Sequence, residues 1–157
     1  GKVPTYMGKV NKVDQELEEY AKKQIELVEE NMENLHLSNA LAEIWTLISR
    51  TNKYIDETCP WILAKEEENK QKLQSVMYHL IENLRKIAIM LTPFMKNTSE
   101  QILRQIGIQD EKLKTWESSK KYELIPSNTE VIEKGEPLFM RLDVEEEIEY
   151  IRNEMKK

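Results

Sequence analysis

The sequence predicts an all-α protein, an antiparallel helix bundle followed by an irregular wrapping tail and a C-terminal helix. Three observations carry that expectation. Apolar residues recur at three- and four-residue steps through most of the stretch before Gly107, which is the period of helices that bury one face. Charged residues make up 33% of the 157-residue chain against 39% hydrophobic, with four Gly and five Pro, a balance that suits long exposed helices better than a β-sandwich. From Ile108 the period is lost, and breakers separate isolated apolar anchors. A chain of this length has room for one domain with a real core. The expected organisation is a bundle over 1–107 and an appendage over 108–157.

Gly1 to Gly8 contains Pro4 and reads as a loop, with the look of a segment cut from something longer. Val13, Leu17, Tyr20, Gln24, Leu27/Val28 and Asn31 then form one stripe, which predicts a first helix over about 12–33. Ser38 is the expected N-cap of the second helix, since its hydroxyl can accept from an orphan amide of the first turn. That helix carries Leu41, Ile44, Trp45, Ile48, Asn52 and Ile55 on one stripe, so Trp45 is expected in the core and the Asn52 amide on the core face. A buried amide left unpaired costs roughly 1–3 kcal/mol, so Asn52 should find a partner.

Pro60 ends the second helix and leaves Trp61 just beyond a break. Ile62–Ala64 is an apolar touch-down, and Lys65–Lys70 a solvated charged run. Leu73, Val76/Met77, Leu80, Leu84, Ile87/Ala88 and Leu91 predict a third helix that Pro93 stops. Thr98 and Gln101 offer a capping box for a short fourth helix through Ile102, Leu103 and Ile106, closed by Gly107. In the tail, Trp116, Tyr122, Val131 and Phe139 are anchors between too many breakers for helix, and Trp116 is expected to tie it down. Asp143 should cap a last helix from Val144 to Met155, before Lys156 and Lys157.

Several function classes are disfavoured by these residues. A net charge of −6 opposes non-specific binding to nucleic acid, so any RNA contact must be local, made by a few stacking and hydrogen-bonding groups. The single Cys59 supports neither a disulfide nor a zinc finger. No apolar run reaches the ~18 residues of a membrane span, and no secretory leader is visible, so a cytoplasmic, non-membrane protein is expected. His36 and His79 lie far apart, without a catalytic motif; His36 reads as a turn residue and His79 as a helix-face residue, and catalysis within this chain is not expected. The glutamate runs read as solvated helix surface. Trp61 differs from the other tryptophans: beside a helix break, its ring can be held rigid with one face open, as stacking on an unpaired base requires. From the residues alone, packing remains the commoner role for such a ring.

The run Asn52-x-Tyr54-Ile55-Asp56-Glu57-Thr58-x-Pro60-Trp61 resembles the signature of the anticodon-binding helical domain of the methionyl-tRNA synthetases, which are class I aminoacyl-tRNA synthetases. Gly1–Pro4 is similar to the segment after that domain's first helix, and Pro137–Asp143 to a stretch near the end of the core enzyme, with Met140 standing where the family pattern has proline. The resemblance implies recognition of the anticodon loop of methionine tRNA, within an enzyme that attaches methionine to that tRNA using ATP. It assigns Trp61 to stacking on the first anticodon base and Pro60 to shaping the corner. Asn52 and Tyr54 match the motif and are expected to brace it from behind, while Arg50 and Lys53 are candidates for phosphate contact. The domain's first helix, with two further anticodon readers, would lie before Gly1. The catalytic domain, a partner of this one, would also lie upstream; it would use ATP and admits zinc, while no cofactor is expected in this chain. A homodimer would form only through regions outside it. The rival reading is a helical protein–protein interaction scaffold with Trp61 as a hot spot.

Overall fold

The computed structural model describes residues 1–139 and 141–156. Met140 and Lys157 lie outside the described residues. The fold is all-helical, as the periodicity predicts; among the described residues the only β-type pairing is an isolated antiparallel bridge between Lys2 and Glu130.

Helix α1 runs from Lys12 to Glu33. Its start is fixed by Asp14, whose carboxylate accepts the Asn11 amide at 3.0 Å. The chain reverses through Leu35, in the left-handed region at φ 58°, into α2, Leu37–Thr58. The expected cap does not form: Ser38 lies inside the first turn, and the cap position falls to His36, whose side chain makes no capping bond. The buried face of α2 is also turned from the expected one. Ala40, Ile44, Leu47, Thr51 and Tyr54 are buried, whereas Trp45 is 49% exposed and Asn52 is exposed. Two adjacent stripes of this helix are apolar enough to be buried. The one used contains Thr51, whose hydroxyl is satisfied by the Leu47 carbonyl at 2.8 Å and so can enter the core without an orphaned donor.

After α3, Pro60–Leu63, and a 3₁₀ turn, Glu67–Asn69, the chain enters α4, Lys70–Leu91. This is the central helix, covered on nearly every side. Its apolar residues Val76, Ile87, Ala88 and Leu91 are buried as expected, but so are Ser75, His79, Glu82, Asn83, Arg85 and Lys86, while Leu84 is 39% exposed. Helix α5, Lys96–Gln105, starts before the predicted capping box; Met95 is its N-cap residue, and Thr98 lies within the helix. Gly107 closes it at φ +78°, where an added Cβ would meet the Glu130 carbonyl oxygen at 2.1 Å. Glycine is required there both by the left-handed backbone and by that close approach.

The tail is less irregular than its breakers suggest. It contains a 3₁₀ turn, Glu111–Lys114, and a short helix α6, Trp116–Ser119. Trp116 anchors it as expected, its indole N–H donating to Glu29 of α1 at 2.9 Å. The buried cations of α4 complete the attachment. Arg85 donates to the Leu113 and Ser118 carbonyls, and Lys86 donates to those of Ser119 and Lys121 while lying 4.1 Å from the Tyr122 ring centroid. Burial pushes the Lys86 ammonium down to about 7, helped by neighbouring Arg85 and opposed by Glu82. Further on, the tail pairs with the N-terminal arm, Val3 donating to Thr129 and Asn128 to Val3. Asp143 caps α7, Val144–Glu154, by accepting the amides of Glu145 and Glu146, as the sequence predicts. No residue of α7 is buried.

Candidate nucleic-acid interface

The corner between α2 and α3 is built from the backbone outward. The Thr58 hydroxyl folds back onto the Tyr54 carbonyl at 2.7 Å, and the Cys59 amide still donates to Ile55 at 2.9 Å, so α2 is intact to its end. Cys59 then enters the left-handed region at φ 43°, ψ 61°. Pro60 follows as the first residue of α3, where its fixed φ suits a helix start and its missing N–H leaves no bond unmade. The break expected at Pro60 is therefore a sharp change of direction between two helices. Leu63 packs down on a small cluster of Leu17, Tyr54 and Val76, while Trp61 and Ile62 point outward at 54% and 51% exposure.

The other sequence-predicted residues divide around this corner. Tyr54 is fully buried, and its hydroxyl donates to Asp14 at 2.6 Å. Asn52 departs from expectation: it faces outward and, among the described residues, its amide makes no hydrogen bond. It borders an apolar groove of about 300 Å³ shared with Trp45, Ile48, Leu84, Leu91 and Phe139. Arg50 is only 14% exposed and is engaged by Glu57 at 3.0 Å and Glu16 at 3.9 Å. Lys53 is 69% exposed and lies 3.6 Å from Glu57.

A buried polar layer lies beneath the corner. Asp14 accepts from Tyr54 on one oxygen and from Ser75, at 2.8 Å, and the Asn11 amide on the other. Burial, reinforced by Asp14, holds the Tyr54 phenol far above its usual value, so it is a permanent donor. One turn along α4, His79 is buried rather than presented at the surface. Its Nε2 lies 2.9 Å from Glu18 and its Nδ1 2.7 Å from the Ser75 carbonyl. Burial works against the imidazolium, but Glu18, the Ser75 carbonyl and Asp14 outweigh it and hold His79 above its usual value. Burial likewise works against the Glu18 carboxylate, which the bonds from His79 and Tyr6 nonetheless keep below the usual range. None of these partners is legible from local sequence: Asp14, three residues after Asn11, carries only a helix-start signal, and its bonds to Tyr54 and Ser75 span 40 and 61 residues.

Among the described residues no group of three or more His, Cys, Asp or Glu side chains could hold a metal ion, and no helix is long and apolar enough to cross a membrane. The corner offers no set of converging acid, base and nucleophile; what it presents is one aromatic face on a fixed backbone.

Comparison with known proteins identifies the family. The family model described as the anticodon binding domain of methionyl tRNA ligase matches residues 3–154. The chain is 49% identical over 156 residues to the methionine–tRNA ligase of Listeria innocua, covering 99% of this chain and 24% of that protein. It is 46% identical over 155 residues to that of Bacillus subtilis, covering 99% and 23%. It thus spans about a quarter of the length of these curated relatives. The fold is shared with the apo crystal structure of Mycobacterium tuberculosis methionyl-tRNA synthetase, at TM-score 0.78 and 23% identity over 90% of this chain and 29% of that one. The same enzyme in complex with methionyl-adenylate gives 0.79 and 24%, over 90% and 27%. With nearly its whole length matched, the chain belongs to the family of methionyl-tRNA ligase anticodon-binding domains.

Proposed function

We propose that this chain reads the anticodon of methionine tRNA on behalf of a methionine–tRNA ligase, with the Pro60–Trp61 corner as its base-stacking platform. In this reading ATP, and any zinc, belong to the catalytic domain upstream, the two domains working on one tRNA in the cytoplasm. The observation that carries the proposal is the opposed pair at the corner: Leu63 is anchored in a buried cluster while Trp61, two residues earlier, is 54% exposed. A large exposed aromatic ring on a backbone anchored through Leu63 suits a single unpaired base, and such stacking contributes ~1–3 kcal/mol. Lys53 is the nearby cation for phosphate; Arg50 serves the corner by fixing Glu57 and Glu16.

In the full-length ligase, Trp61→Ala should raise KM for methionine tRNA by roughly 5- to 150-fold, the range that stacking energy corresponds to. Methionine activation measured without tRNA should be unchanged. Equal charging by mutant and parent would remove Trp61 from the site and favour the rival role, a hot spot for a protein partner.

A further inference from the structure

We propose that Asp14 is a positioning residue for anticodon recognition, acting through Tyr54 to fix the corner that bears Trp61; this rests on the reading of Trp61 given above. Asp14 lies on α1 and touches no part of the exposed surface, being wholly buried. Its carboxylate is nonetheless the point at which three helices meet near the corner. Oδ1 accepts from the Tyr54 hydroxyl of α2 at 2.6 Å, and Oδ2 accepts from Ser75 of α4 at 2.8 Å and from the Asn11 amide at 3.0 Å. Three donors on one buried carboxylate make a set of charge-assisted bonds with little freedom of direction.

The connection to Trp61 is mechanical and short. The Tyr54 ring, oriented by Asp14, forms with Leu17 and Val76 the floor on which Leu63 sits. The Tyr54 carbonyl holds Thr58, the last residue of α2. Both ends of the segment 58–63 are therefore referred to one tyrosine, and Trp61 lies between them. The two carboxylate oxygens also separate the roles. The helix start and Ser75 use Oδ2, so deleting the Tyr54 hydroxyl removes the bond between α1 and α2 and leaves the cap in place.

The test uses the full-length ligase and four proteins: parent, Tyr54→Phe, Trp61→Ala and the double variant, with Asp14→Asn as a further variant that perturbs this bond together with those from Ser75 and Asn11. The expected result is a rise of about three- to tenfold in KM for methionine tRNA in Tyr54→Phe, with kcat and tRNA-free methionine activation unchanged. In the Trp61→Ala background the same substitution should have no further effect, because its influence passes through the ring that is gone. A purely structural role would lower the melting temperature alike in both backgrounds without that dependence. If Trp61→Ala raises KM but Tyr54→Phe does not, or if their effects multiply, the positioning role of Asp14 is wrong while the platform stands. If Trp61→Ala itself leaves KM unchanged, the platform fails, and the positioning role with it.

Discussion

Replacing Arg85 with Met tests whether the tail is held by one buried cation. The Arg85 and Glu82 side chains are both fully buried and bonded at 2.8 Å through the Arg85 Nε. Nη1 donates to the Leu113 carbonyl at 2.8 Å and to Ser118 Oγ at 2.9 Å, and Nη2 donates to the Ser118 carbonyl at 3.0 Å. Methionine fills much of the volume but donates nothing. Glu82 would retain only the Leu124 amide at 3.2 Å, and breaking a buried ion pair from one side costs about 3–5 kcal/mol. Leu113 would lose its guanidinium donor, adding roughly 1–3 kcal/mol, whereas the Ser118 carbonyl keeps the Lys121 amide at 3.3 Å. The expected loss is therefore on the order of 4–8 kcal/mol, a large share of the stability of a typical domain. For a chain of this size it should lower the melting temperature by more than about 10 °C.

Urea and thermal unfolding followed by circular dichroism measure that loss. Amide exchange over 113–125 should rise first, because those residues lean on α4 through this side chain. Removing both charges, in Arg85→Met/Glu82→Leu, should recover much of the deficit, since the larger penalty is the carboxylate left alone. A single-variant loss below about 1 kcal/mol, or a double variant no better than the single, would refute this account of the tail.

One further outcome follows from the same layer of contacts. Because the folded state holds the His79 proton more tightly than the unfolded chain, its stabilisation is complete below about pH 6.5 and is lost as pH rises through the raised folded value; His79→Gln should flatten the stability profile above pH ~6.5, and an unchanged slope would exclude His79 as its source.

The helices were legible where a single apolar stripe dominates. In α1 the bounds follow from the period, but the buried face is turned from the expected stripe: Asp14, Glu18, Ala21 and Ile25 are buried beside Leu17, Gln24 and Val28, while Val13, Tyr20 and Asn31 are only half-buried. In α2 the period was clear but the phase was not. Ala40–Ile44–Leu47–Thr51–Tyr54 and Leu41–Trp45–Ile48–Asn52–Ile55 are adjacent stripes, and only the packing of α1 and α4 selects the first. Larger side chains favour the second, so the sequence alone points Trp45 and Asn52 inward. The polar side of α4 misled for the opposite reason. Ser75, His79, Glu82, Arg85 and Lys86 have a solvent-like composition, and what buries them is a tail more than thirty residues away together with α1. The caps at Ser38 and Thr98 failed on timing, since both helices began earlier than the side chains that suited a start. The corner was legible because its signal is covalent: proline after a helix restricts two residues whatever packs around them.

On the proposed reading of Trp61, that covalent signal also bears on why its ring stands at a helix corner rather than on a loop. Stacking a base contributes ~1–3 kcal/mol, while fixing one flexible residue costs roughly 1–2 kcal/mol of backbone entropy. A tryptophan on a mobile loop would lose most of its stacking energy in becoming ordered. At the α2–α3 corner the ordering is complete before any ligand arrives: Cys59 is held left-handed by its neighbours, Pro60 has no φ freedom, and Leu63 is seated on Tyr54. A non-glycine residue in the left-handed region costs about 1–2 kcal/mol, a strain that folding sustains because Asp14, Tyr54 and Ser75 over-determine the surrounding backbone. If Trp61 is the stacking platform proposed above, the buried layer and the exposed ring are one arrangement, in which the interaction energy of the interior leaves the stacking energy of the ring available for discrimination.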